Sequence, residues 1–186
     1  MTRLPDKYDH EGRIFPYIIS GLFDQTDSIR SMTFEILEEI GQVHEEENEE
    51  KLREVKQFAY QNEWTSNGLI KDSELVYPFP ILHRPRLGSR IIVRTYVRRY
   101  IKGLFQELGD WIEEHRERCS HLMLYSVIYA EDYMTQFLDE ITVCFYKVIL
   151  DKSRKIVYKN ISQSLRLLGR YCRPSGYHDL IISAMR

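Results

Sequence analysis

Cysteine is scarce in this sequence and widely spaced. The 186 residues contain three cysteines, Cys119, Cys144 and Cys172, and each falls inside an apolar helical pattern. An odd number of thiols without close spacing does not form the framework of a disulfide-stapled secreted domain, and it is typical of reduced intracellular proteins. We therefore expect a location in the cytosol or the nucleus.

The sequence also lacks long hydrophobic runs and any large excess of charge of one sign. Its most apolar window, residues 122–130, is too short to cross a bilayer, and no charged N-terminal segment leads into a long apolar stretch, so we expect neither membrane insertion nor secretion. The formal net charge of -2 gives no overall reason to expect a nucleic acid as partner. Because 43% of the residues are hydrophobic, the chain can bury a core, which excludes disorder throughout.

Recognisable catalytic patterns are missing as well. The sequence contains no glycine-rich phosphate loop, no serine elbow and no pair of carboxylates in an apolar setting. His115, Cys119 and His121 lie within two turns of one predicted helix, but no second cluster completes a set of four zinc ligands, and no orienting acid accompanies a cysteine–histidine pair. We interpret Cys119 as a partly buried thiol beside a surface histidine, and we predict no enzyme activity, no bound metal and no cofactor.

What the sequence does contain is a helical unit that returns along the chain. Residues 24–41 read DQTDSIRSMTFEILEEIG, in which an aspartate and a short polar turn precede an isoleucine–arginine pair. Apolar residues then recur at helical spacing, namely Ile29, Met32, Ile36, Leu37 and Ile40. The polar turn can cap this helix, and Gly41 is placed to end it. The pattern resembles the second helix of a HEAT hairpin, and such hairpins must stack to bury their apolar faces.

Two further copies of this unit follow. Asp110 and Arg116 repeat the aspartate–arginine pair in the second copy, DWIEEHR. The third copy aligns by its end, where Leu165 and Gly169 match the positions of Leu37 and the glycine of the first copy. The second and third copies are separated by a period within the range of about 40 to 47 residues that HEAT repeats show.

We therefore predict an all-α fold, an α-solenoid of HEAT-like helical hairpins. The predicted segments are hairpin 1 over 1–43, an acidic helix with a long proline-containing loop insertion over 44–88, hairpin 2 over 89–130, hairpin 3 over 131–173 and the start of a further, truncated repeat over 174–186. Within them we expect helices over 89–108, 112–129 and 131–150, and a loop from 62 to 88 draped over the solenoid. Apolar surface is expected at both ends, because terminal hairpins have a neighbour on one side only.

Basic residues line one side of the predicted helix over 89–108. They follow one another at intervals of four positions, as Arg86, Arg90, Arg94, Arg98 and Lys102. This arginine stripe lies beside the buried positions Val93 and Val97, so its guanidinium groups can emerge at the edge of the core, where their planar fork suits the carboxylates of a partner. We predict that the stripe binds an acidic protein partner. Pairing within the chain, for example with the acidic residues 45–56, is one alternative, and binding of nucleic acid or nuclear-transport cargo is another.

Several stretches, taken in order, resemble one family. HEEENEEKLREVKQF, HRPRLGSR, the DW pair, AEDYMTQFLDEI and LRLLGRYCRP together are similar to the C-terminal region of the dynein axonemal assembly factor 5 family of HEAT-repeat proteins. The resemblance implies a non-catalytic, cytoplasmic scaffold for preassembly of outer and inner axonemal dynein arms, which supports the motility of cilia and flagella. The partners it implies are axonemal dynein chains, other assembly factors and chaperones. It carries over no partner-binding residue, so the arginine stripe is predicted from spacing alone.

Overall fold

The computed structural model describes residues 7–59, 76–150, 154–172, 175, 177–179 and 182. Its α-helices are α1 (Lys7–Ser20), α2 (Asp27–Glu47), α3 (Glu49–Ala59), α4 (Leu87–Glu107), α5 (Glu113–Ala130), α6 (Leu138–Ile149) and α7 (Lys155–Tyr171). Two 3-10 segments, Gly21–Phe23 and Glu131–Phe137, lead out of α1 and α5. The described residues contain no strand. The prediction of an all-α fold is confirmed.

The central element of the core is α5. All eight residues from Met123 to Ala130 are buried, so the end of this helix is buried around its whole circumference and not along one stripe. The cause is that α1, α4 and α7 all pack against α5, and a helix surrounded by neighbours has no solvent-facing side. The predicted bounds of α4 and α5 agree with the observed ones to within two residues.

Gly41 does not end α2, contrary to the prediction. The helix continues to Glu47 and stops at Asn48, whose backbone N–H donates to the carbonyl oxygen of His44 at 3.2 Å. Gly41 is instead the point where α2 crosses the start of α4, and a Cβ there would lie 2.1 Å from Oγ of Ser89. The glycine is therefore required by a close approach of two helices and not by a turn.

The predicted single helix over 131–150 is also wrong. Residues 131–137 form a 3-10 segment, and α6 begins only at Leu138. The break follows from the backbone of Glu131, which has a φ of 51°, and among the described residues it alone combines a side chain with a positive φ. This left-handed conformation cannot continue an α-helix.

The apolar stripes were predicted correctly at some positions and wrongly at others. Leu37 is 1% exposed, whereas Leu165, placed at the matching position of the third copy, is 38% exposed. The buried face of α7 runs instead through Val157, Ile161 and Leu168. In α2 the predicted residues Ile29, Met32 and Ile36 are exposed, whereas Phe34 and Leu37 are buried. At the other end of the fold, Tyr146 of α6 and Leu150, which follows that helix, are exposed as well.

The described end of the predicted loop, residues 76–86, lies across α7, α5 and α2; we call this segment the strap. Tyr77 contacts Tyr171 of α7, Phe79 contacts Tyr125 of α5, and the backbone N–H of Arg86 reaches Glu38 of α2. The peptide bond between Phe79 and Pro80 is cis. The rest of the predicted loop over 62–75, and most of the predicted further repeat over 174–186, lie outside the described residues.

Candidate partner-binding surface

The inner half of the arginine stripe is tied to one carboxylate, that of Glu131. Arg90 donates from Nη1 to Oε2 of Glu131 at 2.7 Å, and the two side chains are only 4% and 3% exposed. Arg84, from the strap, donates to both carboxylate oxygens, from Nε to Oε1 at 2.7 Å and from Nη2 to Oε2 at 2.8 Å. Nη2 of Arg94 lies 3.2 Å from Oε2. Three guanidinium groups, from the strap and from α4, therefore converge on Glu131.

The position of Glu131 at the end of α5 explains this convergence. Its left-handed backbone turns the chain out of α5 beside α4, and the preceding carbonyl oxygen, that of Ala130, accepts from Nε of Arg94 at 3.1 Å. Burial by itself raises the pKa of Glu131, but the hydrogen bonds and charges of Arg84, Arg90 and Arg94 outweigh burial and hold that pKa below its ordinary value. Glu131 is consequently ionised at neutral pH, as a carboxylate shared by several arginines must be.

Arg94 and Arg86 also have internal partners. Arg94 donates from Nη2 to Oδ1 of Asp132 at 2.7 Å, at the protein surface. Nη2 of Arg86 lies 3.4 Å from Oε2 of Glu45, and 40% of the Arg86 side chain remains exposed. Glu45, one of the acidic residues over 45–56, thus lies against the stripe.

Glu45 and Glu38 have a second role at the beginning of α4. Oε1 of Glu45 accepts from the backbone N–H of Gly88 at 2.9 Å, and Oε1 of Glu38 accepts from the backbone N–H of Arg86 at 3.1 Å. The first amides of a helix have no partner within the helix, and negative charge is favoured there. Two carboxylates of α2 thus cap α4 and join these two helices.

The outer half of the stripe faces solvent. Arg98 is exposed, donates from Nη2 to Oε1 of Gln136, and places its guanidinium carbon 5.7 Å from the centre of the Tyr133 ring. Lys102, one turn further, is exposed. The five predicted residues therefore do not form one continuous accessible row. Arg90 is buried and cannot meet a partner in this conformation, and Arg94 is committed to Glu131 and Asp132, whereas Arg86, Arg98 and Lys102 reach the surface.

Sequence reasoning missed the acceptor of the stripe and one of its donors. Glu131 and Asp132 stand at the start of the helix predicted over 131–150, and Arg84 lies outside the predicted stripe. No periodicity connects these residues, because Glu131 lies 41 and 47 positions along the chain from Arg90 and Arg84. Glu131 and Asp132 are the two charged residues in the mostly apolar sequence from Leu122 to Met134, and this is the one signal that pointed to a buried carboxylate.

The cysteine and histidines weighed as a metal or nucleophile site are held separately. Nδ1 of His115 is 3.2 Å from Oδ2 of Asp110, and the ring of His121 stacks on Phe23 with centroids 5.2 Å apart. The described residues hold no group of three or more His, Cys, Asp or Glu side chains placed to bind a metal ion.

The thiol of Cys119 is poorly suited to nucleophilic attack. Burial, together with a 2.9 Å hydrogen bond that its Sγ donates to Oε2 of Glu107, raises the pKa of Cys119 to about 12. The thiolate is the reactive form of cysteine, so a thiol that stays protonated at neutral pH is inert.

Comparison with known families settles the relationship of this chain. Residues 76–186, which contain α4 to α7 and the strap, match the family model described as the HEAT-repeat domain of dynein axonemal assembly factor 5. The chain belongs to this family. Residues 1–55 match a second model, described as dynein axonemal assembly factor 5-like TPR repeats. The predicted resemblance and the α-solenoid fold are confirmed.

Curated relatives in three vertebrates agree with this assignment. The chain is 24% identical to dynein axonemal assembly factor 5 of Xenopus laevis over 186 residues, all of this chain and 21% of the relative. It is 25% identical to the Homo sapiens protein of that name over 183 residues, 98% of the chain and 20% of the relative. The Mus musculus protein is 23% identical over 186 residues. The chain thus spans about a fifth of the length of the curated relatives it matches.

Two further comparisons complete this description. No solved structure matches the chain. Among the helices that the structure describes, none has both the length and the apolar character needed to cross a membrane.

Proposed function

We propose that this chain is part of a non-catalytic HEAT-repeat scaffold that acts in the cytoplasmic preassembly of outer and inner axonemal dynein arms and so supports ciliary and flagellar motility. The observation that carries this proposal is similarity along the whole chain to relatives named dynein axonemal assembly factor 5. Its partners are axonemal dynein chains, together with other assembly factors and chaperones. We retain the division into hairpins over 1–43, 89–130 and 131–173 as part of the proposal.

Stacked helical hairpins support such a role because they present extended surfaces and require no catalytic centre. Each hairpin of the described part packs on the next, α2 on α4 and α5 on α7, so the three behave as one platform. The protonated thiol of Cys119 and the separate histidines His115 and His121 give that platform no nucleophile or metal site of the kind weighed above.

Within this scaffold we propose that the accessible members of the arginine stripe, Arg86, Arg98 and Lys102, contact acidic groups of a partner. Arginine keeps its charge, is weakly hydrated, and pairs with carboxylates through a planar fork, which suits an interface. Arg90 and Arg94 hold the stripe in place through Glu131 and do not themselves meet the partner. Pairing of Arg90 and Arg94 with Glu131 leaves fewer cations for nucleic acid, whose affinity rises with the number of phosphates that are neutralised.

The direct test is affinity purification of the full-length protein that contains this chain, from ciliated cells during ciliogenesis. We expect axonemal dynein chains to be enriched over a purification of a tagged, unrelated α-solenoid of similar size. Enrichment of nuclear-transport factors, or of RNA, without dynein chains would contradict the proposal. Treatment of the extract with nuclease separates direct partners from those bridged by nucleic acid.

A further inference from the structure

Helix α2 carries a second apolar stripe, on the side turned away from the core. Ile29, Met32 and Ile36 follow one another at helical spacing, and all three are exposed, Met32 by 58%. Glu35 and Glu39 each follow an apolar member of this stripe by three positions, so their exposed carboxylates border it. The helix as a whole has seven acidic residues and one arginine. We call the stripe and its two carboxylates the acidic face.

Helices α6 and α7 pack against each other and carry exposed apolar residues as well. In α7, Tyr158 and Leu165 are exposed and lie seven positions apart, on one side of the helix. Lys155, Lys159 and Arg166 share the neighbouring side at intervals of four and seven positions, and they are exposed too. The helix has four basic residues and no acidic one. The basic face comprises these five residues of α7 together with Tyr146 of α6 and Leu150, which follows α6.

The charges of both faces are unpaired within the described part of the chain. Neither Glu35 nor Glu39 forms a salt bridge there, and the same holds for the three cations of the basic face. In contrast, the inner arginines of α4 are neutralised by Glu131. Exposed apolar groups rimmed by charge are typical of surfaces that bind protein.

The two faces lie at opposite ends of one series of packed helices. The series runs from α2 to α4, from α4 to α5 and from α5 to α7. In a solenoid each hairpin offers one side to the hairpin before it and the other side to the hairpin after it, so stacking continues in one direction. A second molecule can therefore place its α2 end on the α7 end of the first molecule and extend the same stack.

We propose that this chain associates with further copies of itself head to tail, with the acidic face of one molecule packed against the basic face of the next. The apolar stripes supply contact area, while Glu35 and Glu39 opposite Lys159 and Arg166 set the orientation through complementary charge. Repulsion of like charges disfavours contact between two acidic faces or between two basic faces. The proposal depends neither on the dynein-arm function nor on the arginine stripe.

A contact between two different faces has a consequence that a symmetric dimer lacks. Each added copy leaves one acidic and one basic face uncovered, so growth does not stop at two molecules unless a ring closes. The average mass in solution should therefore rise steadily with protein concentration. Added salt should weaken the association, because it screens the charges that meet at the interface.

The test is sedimentation velocity of the purified protein over a wide range of concentration, from about 1 to about 300 μM, because the affinities of protein interfaces vary widely. Glu35→Lys/Glu39→Lys makes the acidic face basic, and Lys159→Glu/Arg166→Glu makes the basic face acidic. We expect each variant alone to associate at least about tenfold more weakly than the wild-type protein, because like charges then meet.

All four of these side chains are exposed, so the variants should fold, and circular dichroism checks that they do. If either double variant is unfolded, the single changes Glu39→Lys and Arg166→Glu replace the double ones.

A mixture of the two variants distinguishes head-to-tail contact from other modes of association. The first variant keeps the wild-type basic face, the second keeps the wild-type acidic face, and the two altered faces are complementary to each other. We expect the mixture to recover the rise in average mass shown by the wild-type protein. Arg98→Glu/Lys102→Glu is the matched control, since it makes the same change of charge on exposed residues of α4 and should leave association unchanged.

Three results would overturn the proposal. The first is a wild-type protein that stays monomeric over the whole range of concentration. The second is an average mass that levels off at that of a dimer, because this would assign the contact to one face paired with itself. The third is association that neither charge reversal weakens, or that the mixture of the two variants fails to recover.

Discussion

Gly88 lies directly against the backbone of Gly41, so that a Cβ added to Gly88 would be 1.9 Å from the carbonyl oxygen of Gly41. Ser89, the next residue, donates from its hydroxyl to the carbonyl oxygen of Leu37 at 2.8 Å. Helices α2 and α4 are therefore in direct contact at the point where α4 begins. This crossing brings Glu38 and Glu45 to the first amides of α4, and so it helps to position the helix that carries the arginine stripe.

The crossing predicts that Gly88→Ala destabilises the protein. The new methyl group would have to displace backbone atoms, and overpacking of this kind costs about 1 to 3 kcal/mol. Gly103→Ala is the matched control in the same helix, because a Cβ there meets nothing within 4 Å. That change should raise the free energy of unfolding by about 0.5 to 1 kcal/mol through helix propensity. Denaturant unfolding measures both, and equal effects of the two substitutions would rule out the crossing.

Removing the charge of Glu131 should have a much larger effect than removing that of Asp132. Glu131→Gln leaves Arg90 buried without a negative partner, and breaking a buried pair in this way costs about 3 to 5 kcal/mol. Asp132→Asn removes a charge whose side chain is 64% exposed, and such surface pairs contribute about 0 to 1 kcal/mol. Thermal and denaturant unfolding of the two variants provide the comparison. A small effect of Glu131→Gln would mean that Arg90 reaches solvent.

The same carboxylate predicts a pH dependence. Because the arginines lower the pKa of Glu131 in the folded protein, its stabilising contribution is full above the ordinary glutamate value of about 4.3 and is lost as the pH falls through the lower folded value. The difference in unfolding free energy between the wild type and Glu131→Gln should therefore stay constant from about pH 8 to pH 5 and shrink below about pH 4. A difference that grows on acidification contradicts the arrangement.

Leu37 and Leu165, equivalent in the sequence repeat, should respond differently to truncation. Leu37→Ala is expected to cost about 2 to 5 kcal/mol because it opens a cavity, whereas Leu165→Ala should cost less than about 1 kcal/mol, since that side chain is 38% exposed. Leu168→Ala, at a buried position of the same helix, serves as the positive control in α7. If Leu165→Ala lowers the free energy of unfolding as much as Leu168→Ala does, Leu165 is buried, as the sequence repeat predicted.

The accessible end of the arginine stripe should be separable from its buried part. Arg98→Glu/Lys102→Glu is expected to leave the free energy of unfolding within about 0.5 kcal/mol and to reduce co-purification of dynein chains with the full-length protein. Arg90→Gln should instead lower stability first, because Glu131 then loses a buried donor. If the double charge reversal leaves partner recovery unchanged, the surface arginines are only a solvated face.

The positions of several helices could be predicted from the sequence, but the contacts between helices could not. The bounds of α4 and α5 were predicted closely because each is a long helix that buries many apolar side chains, although burial around the whole end of α5 leaves that helix little periodicity. The role of Gly41 was predicted wrongly because a single sequence does not distinguish a glycine at a helix crossing from a glycine at a helix end. Leu165 was wrongly predicted to be buried. Alignment of the repeats by spacing shows which residues share a helix face, but it does not show which part of that face a neighbouring helix covers.

The candidate site was half predictable for a similar reason. The spacing of Arg90, Arg94 and Arg98 revealed a row of charge on α4, which depends only on local geometry. How deeply each arginine is buried depends on Glu131, which is distant in sequence. Glu131 is positioned by its own positive φ, which no local sequence pattern predicts. The strap was recognised as a loop from its prolines, but its course over α7, α5 and α2 is set by tertiary hydrogen bonds.

The measurement that tests the proposed function most directly is the state of axonemal dynein chains in the cytoplasm of ciliated cells depleted of the full-length protein. Sedimentation of cytoplasmic extract separates dynein chains assembled into large complexes from those that remain apart. We predict that depletion shifts outer-arm and inner-arm dynein chains to the slowly sedimenting fraction, and that re-expression of the wild-type protein restores the large complexes. Cytoplasmic dynein complexes of unchanged size and amount in depleted cells would contradict a role in preassembly.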